Sequence, residues 1–175
     1  EKISYWLGSL SLSEVYKASG HGPGVSIGSS DSTRTTRYYK YASDVLNVSP
    51  GCAHYAVSAI NSNYQWLRAL NGLLPFEEGP IKPLDIHDTR IEFTGYNKIT
   101  FVPKTIDTKR AIAVEPMLNI YLQKGLGAII RNRLRRNGLN LDSCFHKNRE
   151  LARKGSLDET ILTMDLSMAS DTLSI

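Results

Sequence analysis

Residues 98–116 read KITFVPKTIDTKRAIAVEP. Two β-rich runs, KITFVPKT (98–105) and KRAIAVE (109–115), are separated only by Ile106–Thr108, which predicts a hairpin. Pro116 follows, and a proline suits the opening of a helix because its φ is already helical and its missing N–H has no partner there. Leu118, Leu122, Leu126, Ile129, Ile130 and Leu134 then recur at helical spacing, and Gly138 ends the run. Gly125 and Gly127 weaken that helix locally and permit close packing. A basic hairpin feeding a long helix, with further helices around it, predicts an α+β fold.

Toward the N-terminus, Pro75, Pro80 and Pro83 mark residues 75–90 as an irregular connection. Ala53, Ala56, Val57, Ile60, Tyr64 and Leu67 predict one helix over Cys52–Asn71, with Gly72 as its C′ residue. Residues 20–36, GHGPGVSIGSSDSTRTT, are too rich in Gly, Ser and Thr for anything but loop. Their glycine spacing does not make a dinucleotide fingerprint. Toward the C-terminus, TILTMDLS (160–167) predicts a buried strand that carries Asp165 near its end. A turn through Ser167–Ser170 then returns Asp171 to the start of a helix.

A chain of 175 residues with 41% apolar content can bury a core. Its first residues, EKISYWLG, read as the interior of a domain, without an initiator Met or a signal peptide. No apolar run approaches the length of a membrane span, so no membrane partner is expected. Cys52 and Cys144 make no disulfide framework. They begin two Cys-x-His pairs, Cys52–His54 and Cys144–His146, whose spacing is not the usual one for zinc. The net charge of +4 is unevenly spread: Lys98–Lys154 holds 13 Lys/Arg against 4 Asp/Glu, whereas the remainder holds 8 against 13. Such a block predicts a polyanionic partner, most simply nucleic acid, and its alternative is a solvated helix face.

Four groups of residues carry candidate chemistry. Lys104, Lys109 and Arg110 flank the hairpin turn, where an ammonium and a guanidinium can grip a triphosphate. Arg34, Arg37 and Lys40 interleave with Tyr38, Tyr39 and Tyr41, a mixture suited to single-stranded RNA; the tyrosines equally suit the core face of a helix starting there. Arg131 and Arg135, with Arg133 and Arg136, crowd the end of the long helix, where part of the charge also complements the helix dipole. Asp165 and Asp171 lie six apart in MDLSMASD. A carboxylate at a strand end needs a partner or a metal, and Mg²⁺ favours one or two carboxylates plus phosphate oxygens. Asp171 is equally an acid at a helix N-terminus.

Taken in order, HGPGVS, FVPKTIDTKRAIAVEP, NIYLQKGLGAIIRNRLRR, NRELARKGS and MDLSMASDTLS give the chain a resemblance to the replicase catalytic subunits of single-stranded RNA bacteriophages, the leviviruses. These are RNA-directed RNA polymerases. The resemblance spans residues 21–175 and implies the fingers region of a right-hand polymerase together with the first palm strand. Residues 1–97 would be the N-terminal part of the fingers, 98–160 their core, and 161–175 the start of the palm. It further implies that Lys104, Lys109 and Arg110 contact incoming ribonucleoside triphosphates and that Asp165, helped by the Leu166 carbonyl, is a ligand of two catalytic Mg²⁺ ions. Asp171 would bind the ribose 2′-hydroxyl. RNA template and product are the implied partners, in the cytoplasm of an infected bacterium, and related replicases also work with host translation elongation factors and a ribosomal protein. No stretch here supplies the adjacent Asp pair that completes such a metal site, so the chain by itself is expected to be inactive. The alternative is a non-catalytic module that binds single-stranded RNA.

Overall fold

In a computed structural model the described residues are Tyr5, 8–28 and 37–164. The chain divides into two compact units, 1–132 and 133–175, so the division falls inside the long basic helix. The described elements run α1 (Leu12–Ala18), α2 (Arg37–Tyr41), β1 (Leu46–Val48), a 3₁₀ turn (Pro50–Cys52), α3 (Ala53–Asn61), α4 (Tyr64–Leu70), β2 (Ile91–Phe93), β3 (Lys98–Pro103), β4 (Lys109–Val114), α5 (Met117–Arg136) and α6 (Leu141–Asp158). This mixture of helices with two short sheets is compatible with an α+β fold.

The core of the first unit is built around β1, whose Leu46 and Val48 are wholly buried. Ala53, Ala56, Ala59 and Ile60 of α3, Trp66 and Leu67 of α4, Leu84, and Met117, Leu118 and Tyr121 of α5 close around it. β1 pairs in parallel with β2, in the register Leu46 opposite Ile91. This sheet was not legible in the sequence: three residues per strand are too few to show an alternation. The second sheet is the expected hairpin, with β3 and β4 antiparallel from Lys98–Val114 to Pro103–Lys109.

The single helix expected over Cys52–Asn71 is two. α3 ends at Asn61 and α4 begins at Tyr64, because the Asn63 side chain accepts a hydrogen bond from Trp66 N (3.1 Å) and starts a new helix. Asparagine competes with the helical backbone through its own side chain, and here that competition wins. Gly72 and Gly138 do follow their helices with the positive φ of a C′ residue (73° and 86°). α5 begins directly after Pro116, whose carbonyl accepts from Asn119 N and Ile120 N. Its buried seam is Met117, Leu118, Tyr121, Gly125 and Ile129, so Leu126, expected inside, is outside. Gly125 belongs to that seam because a Cβ there would lie 2.4 Å from both Val15 O and Ser19 Oγ. The absent side chain lets α1 approach, as the sequence allowed.

In the second unit α6 was not anticipated. Asn140 caps it by accepting from Asp142 N, and Glu159, at φ 54°, terminates it. None of its residues is buried. Residues 161–164 form no strand, and Leu162 and Met164 are exposed, contrary to the expected buried strand TILTMDLS. A strand persists only when its backbone groups are paired, and no described strand lies alongside these four residues. Asp165, Leu166 and Asp171 lie outside the described residues, as does Arg34.

Candidate nucleotide and RNA interface

The hairpin presents its cations near the turn. Lys104 N donates to Thr108 O (2.9 Å) and Thr108 N to Thr105 Oγ1 (3.1 Å), which closes the loop and leaves Ile106 wholly exposed at its tip. Lys104, Lys109 and Arg110 are all exposed. Lys109 stands opposite Pro103 and Arg110 opposite Val102. Successive strand residues face opposite sides, so Lys109 and Arg110 do not converge on one face. The structure thus gathers the three cations into one end of one hairpin without focusing them on one point.

The Arg–Tyr–Lys stretch divides. Arg37 lies 5.3 Å from the centroid of the Tyr38 ring and donates to its hydroxyl (3.4 Å). That bond raises the Arg37 pKa and lowers that of Tyr38. Tyr38 and Tyr39 are exposed, whereas Tyr41 packs against the core. Lys40 is only 2% exposed, and its ammonium donates to Gly22 O (3.0 Å). Burial, and then the charge of Lys124, lower its pKa. In this arrangement Lys40 ties down the HGPG segment instead of facing an outside phosphate.

The centre of that segment is His21, to which the sequence assigned no role. It is 2% exposed and ringed by Tyr41, Tyr121 and Trp66 at centroid distances of 4.6, 4.9 and 5.0 Å. Trp66 Nε1 donates to Tyr41 O (3.1 Å), and Lys124 Nζ to His21 O (2.9 Å). Neither ring nitrogen of His21 has a hydrogen-bond partner. Desolvation, reinforced by Lys40 and Lys124, lowers its pKa to about 3, so the imidazole is neutral. A neutral ring inside an aromatic cluster is a packing element, and the signal for it was the single histidine inside a glycine-rich loop. Of the α5 arginines, Arg131 and Arg135 are each engaged by an interaction within the chain.

Among the described residues no group of three or more His, Cys, Asp or Glu is placed to hold a metal ion. No helix among them is long and apolar enough to cross a membrane.

The family model described as RNA replicase, beta-chain, matches residues 1–175. The RNA-directed RNA polymerase beta chain of Enterobacteria phage GA is 49% identical over 78 residues, which is 45% of this chain and 14% of that one. The beta chain of Escherichia phage MS2 is 46% identical over 78 residues, again 45% of this chain and 14% of the relative. The RNA-directed RNA polymerase subunit beta of Escherichia virus Qbeta is 42% identical over 90 residues, 50% of this chain and 15% of the relative. The aligned part of the chain thus spans only 14–15% of the length of these relatives.

Proposed function

Because the chain belongs to the RNA replicase beta-chain family, we propose that it forms the fingers region and first palm element of a right-hand RNA-directed RNA polymerase. The enzyme copies a bacteriophage RNA genome by template-directed nucleotidyl transfer in the cytoplasm of the infected cell. The observation that carries this reading is the family match along the whole chain. The hairpin with three exposed cations is consistent with it.

In this reading Lys104, Lys109 and Arg110 neutralise the phosphates of an incoming ribonucleoside triphosphate. Positioning and charge compensation are most of what a protein contributes to phosphoryl transfer. Lys109 and Arg110 are neighbours on β4 and in this reading share one ligand, so their substitutions should combine non-additively. Asp165 and the Leu166 carbonyl would hold Mg²⁺, in keeping with the preference of that ion for a few hard oxygens beside substrate phosphates. Two such ions, when bound, activate the attacking 3′-hydroxyl and stabilise the leaving pyrophosphate. One carboxylate is only part of such a ligand set. Asp171 would recognise the ribose 2′-hydroxyl. Host translation elongation factors and a ribosomal protein enter as companions on the family resemblance alone.

The test uses the full-length polypeptide that carries this sequence, with nucleotide incorporation and RNA affinity measured together. Asp165→Asn should abolish incorporation and leave RNA affinity near wild type. An equal fall in both would overturn the metal role. Lys109→Ala and Arg110→Ala should each lower kcat/KM for nucleotide by about a hundredfold, the order expected for losing one electrostatic contact to a reacting group.

A further inference from the structure

In the second unit, Arg133 and Arg135 of α5 are engaged within the chain. On α6, by contrast, the side chains of His146, Arg149 and Arg153 make no hydrogen bond or ion pair with another described residue. They line, with Glu150, a surface cleft of about 290 Å³. Phe145 stands beside them, 72% exposed, with its ring edge-on to His146 at a centroid distance of 6.0 Å.

Helical spacing makes these one face. Arg149 follows Phe145 by four residues and His146 by three, and Arg153 follows Arg149 by four. Arg149 and Arg153 are therefore separated by about 6 Å along the helix axis, within the reach of neighbouring phosphates on an extended strand. An exposed aromatic ring next to a row of unpaired cations is the pairing that single-stranded nucleic acid requires: the guanidinium groups follow the backbone while a base stacks on the ring. A duplex offers phosphates but no free base face to Phe145. The single acid in the cleft, Glu150, leaves the face with a positive excess.

We propose that the Phe145–His146–Arg149–Arg153 face of α6 is a binding site for single-stranded RNA, with Arg149 and Arg153 on successive phosphates and Phe145 stacked on an unpaired base. The inference rests on the reading of the chain as a polymerase part acting on RNA, but it concerns strand binding away from the nucleotide site.

The experiment measures binding of a fluorescein-labelled 20-nucleotide oligouridylate to the full-length polypeptide over a series of salt concentrations, with nucleotide incorporation by the same preparation as a parallel readout. Each single-strand phosphate contact contributes about 0.7 to the slope of log affinity against log salt. The double substitution R149Q/R153Q should make the slope shallower by about 1.4, and R149K/R153K, which keeps both charges, should largely restore it. F145A should weaken binding roughly tenfold without altering the slope. An unchanged slope in R149Q/R153Q overturns the proposal. So does equal competition by a 20-base-pair RNA duplex combined with an inert F145A, which would make the face a duplex contact. Unaltered RNA binding with loss of a co-purifying protein would make it a protein contact and overturn the proposal equally. A wild-type preparation that binds the oligonucleotide but incorporates no nucleotide would count against the polymerase reading and leave this one standing.

Discussion

Lys40 and Lys109 are both lysines in short basic runs, the first expected to contact RNA and the second a nucleoside triphosphate, and the structure treats them in opposite ways. Lys40 is held at 2% exposure against the carbonyl of Gly22, next to a buried histidine, whereas Lys109 is exposed at the start of β4. The difference comes from the surroundings. Around Lys40 lies the His21–Tyr41–Trp66–Tyr121 cluster, and the carbonyls of Gly22 and His21 beside it are paired by Lys40 and Lys124. Around Lys109 there is a two-stranded ribbon whose own apolar residues Ile99 and Phe101 are 70% and 65% exposed. Lys40 is drawn into the core, and Lys109 is left on the outside.

The largest effect should come from breaking the buried side of this comparison. Trp66 is 2% exposed, contacts the rings of His21, Tyr41 and Tyr121, and donates to Tyr41 O. Trp66→Ala should cost about 3–5 kcal/mol, the range for removing a large aromatic from a packed core. Phe101→Ala on the hairpin should stay within about 0.5 kcal/mol. Hydrogen-exchange protection of β1 and α5 is the readout, because it reports local stability inside a longer polypeptide. Equal effects of the two substitutions would mean that the hairpin is as deeply packed as the cluster.

The next effect sharpens the comparison through pH. The His21 pKa lies at about 3, below the ordinary histidine value near 6.5, because the ring is buried beside two ammonium groups. Between those values the unfolded chain binds a proton that the folded chain does not. Stability from this group is therefore complete above about pH 6.5 and falls as the pH drops toward 3, by about 1.4 kcal/mol per pH unit. Lys40→Met removes one of the two charges, so the His21 pKa should rise, which an NMR titration of the imidazole reads directly. His21→Phe should abolish the slope. A slope that persists in His21→Phe would assign the acid sensitivity to other groups.

The parts of this fold legible in the sequence are those set by local chemistry. The hairpin, the helix after Pro116, the glycines at 72 and 138 and the irregular stretch 75–90 each follow from a turn residue, a proline or a clear period. What escaped depends on distant partners. Nothing within RYYKY distinguishes the inward Lys40 from the outward Tyr38 and Tyr39, since that choice is made by Gly22 and Trp66. The three-residue strands β1 and β2 exist because residues 45 apart meet in register. The apolar period over Cys52–Asn71 runs straight through Asn63 and predicts one continuous helix, whereas the break is a side-chain event, the Asn63 cap. On the hairpin the cations Lys104, Lys109 and Arg110 were legible, but their division between two faces appears only once the register is known.

The smallest effect lies at the edge of the core, where a surface ion pair ties down the connection that leads into β2. Arg90 Nε and Nη2 donate to the two carboxylate oxygens of Asp88, each at 2.8 Å, and Nη1 donates to Leu70 O at the end of α4 (2.6 Å). Hydrogen bonding to Arg90 lowers the Asp88 pKa to about 2. The contribution of this pair is thus present above the usual carboxylate range near pH 4 and is lost as the pH falls toward 2. Both side chains remain partly in water, so screening keeps the value below about 1 kcal/mol despite the bidentate geometry. Asp88→Asn retains one acceptor oxygen for Arg90 and removes the charge, and it should cost about 0.5 kcal/mol at pH 7 and low salt, less at high salt. Protection of the β1–β2 amides measured at two salt concentrations checks this. A loss of several kcal/mol, insensitive to salt, would show that Arg90 needs its counter-ion to hold Leu70 O and the Arg90 carbonyl that accepts from Leu46 N. The pair would then belong with the Lys40 side of the comparison, as a charge built into the core.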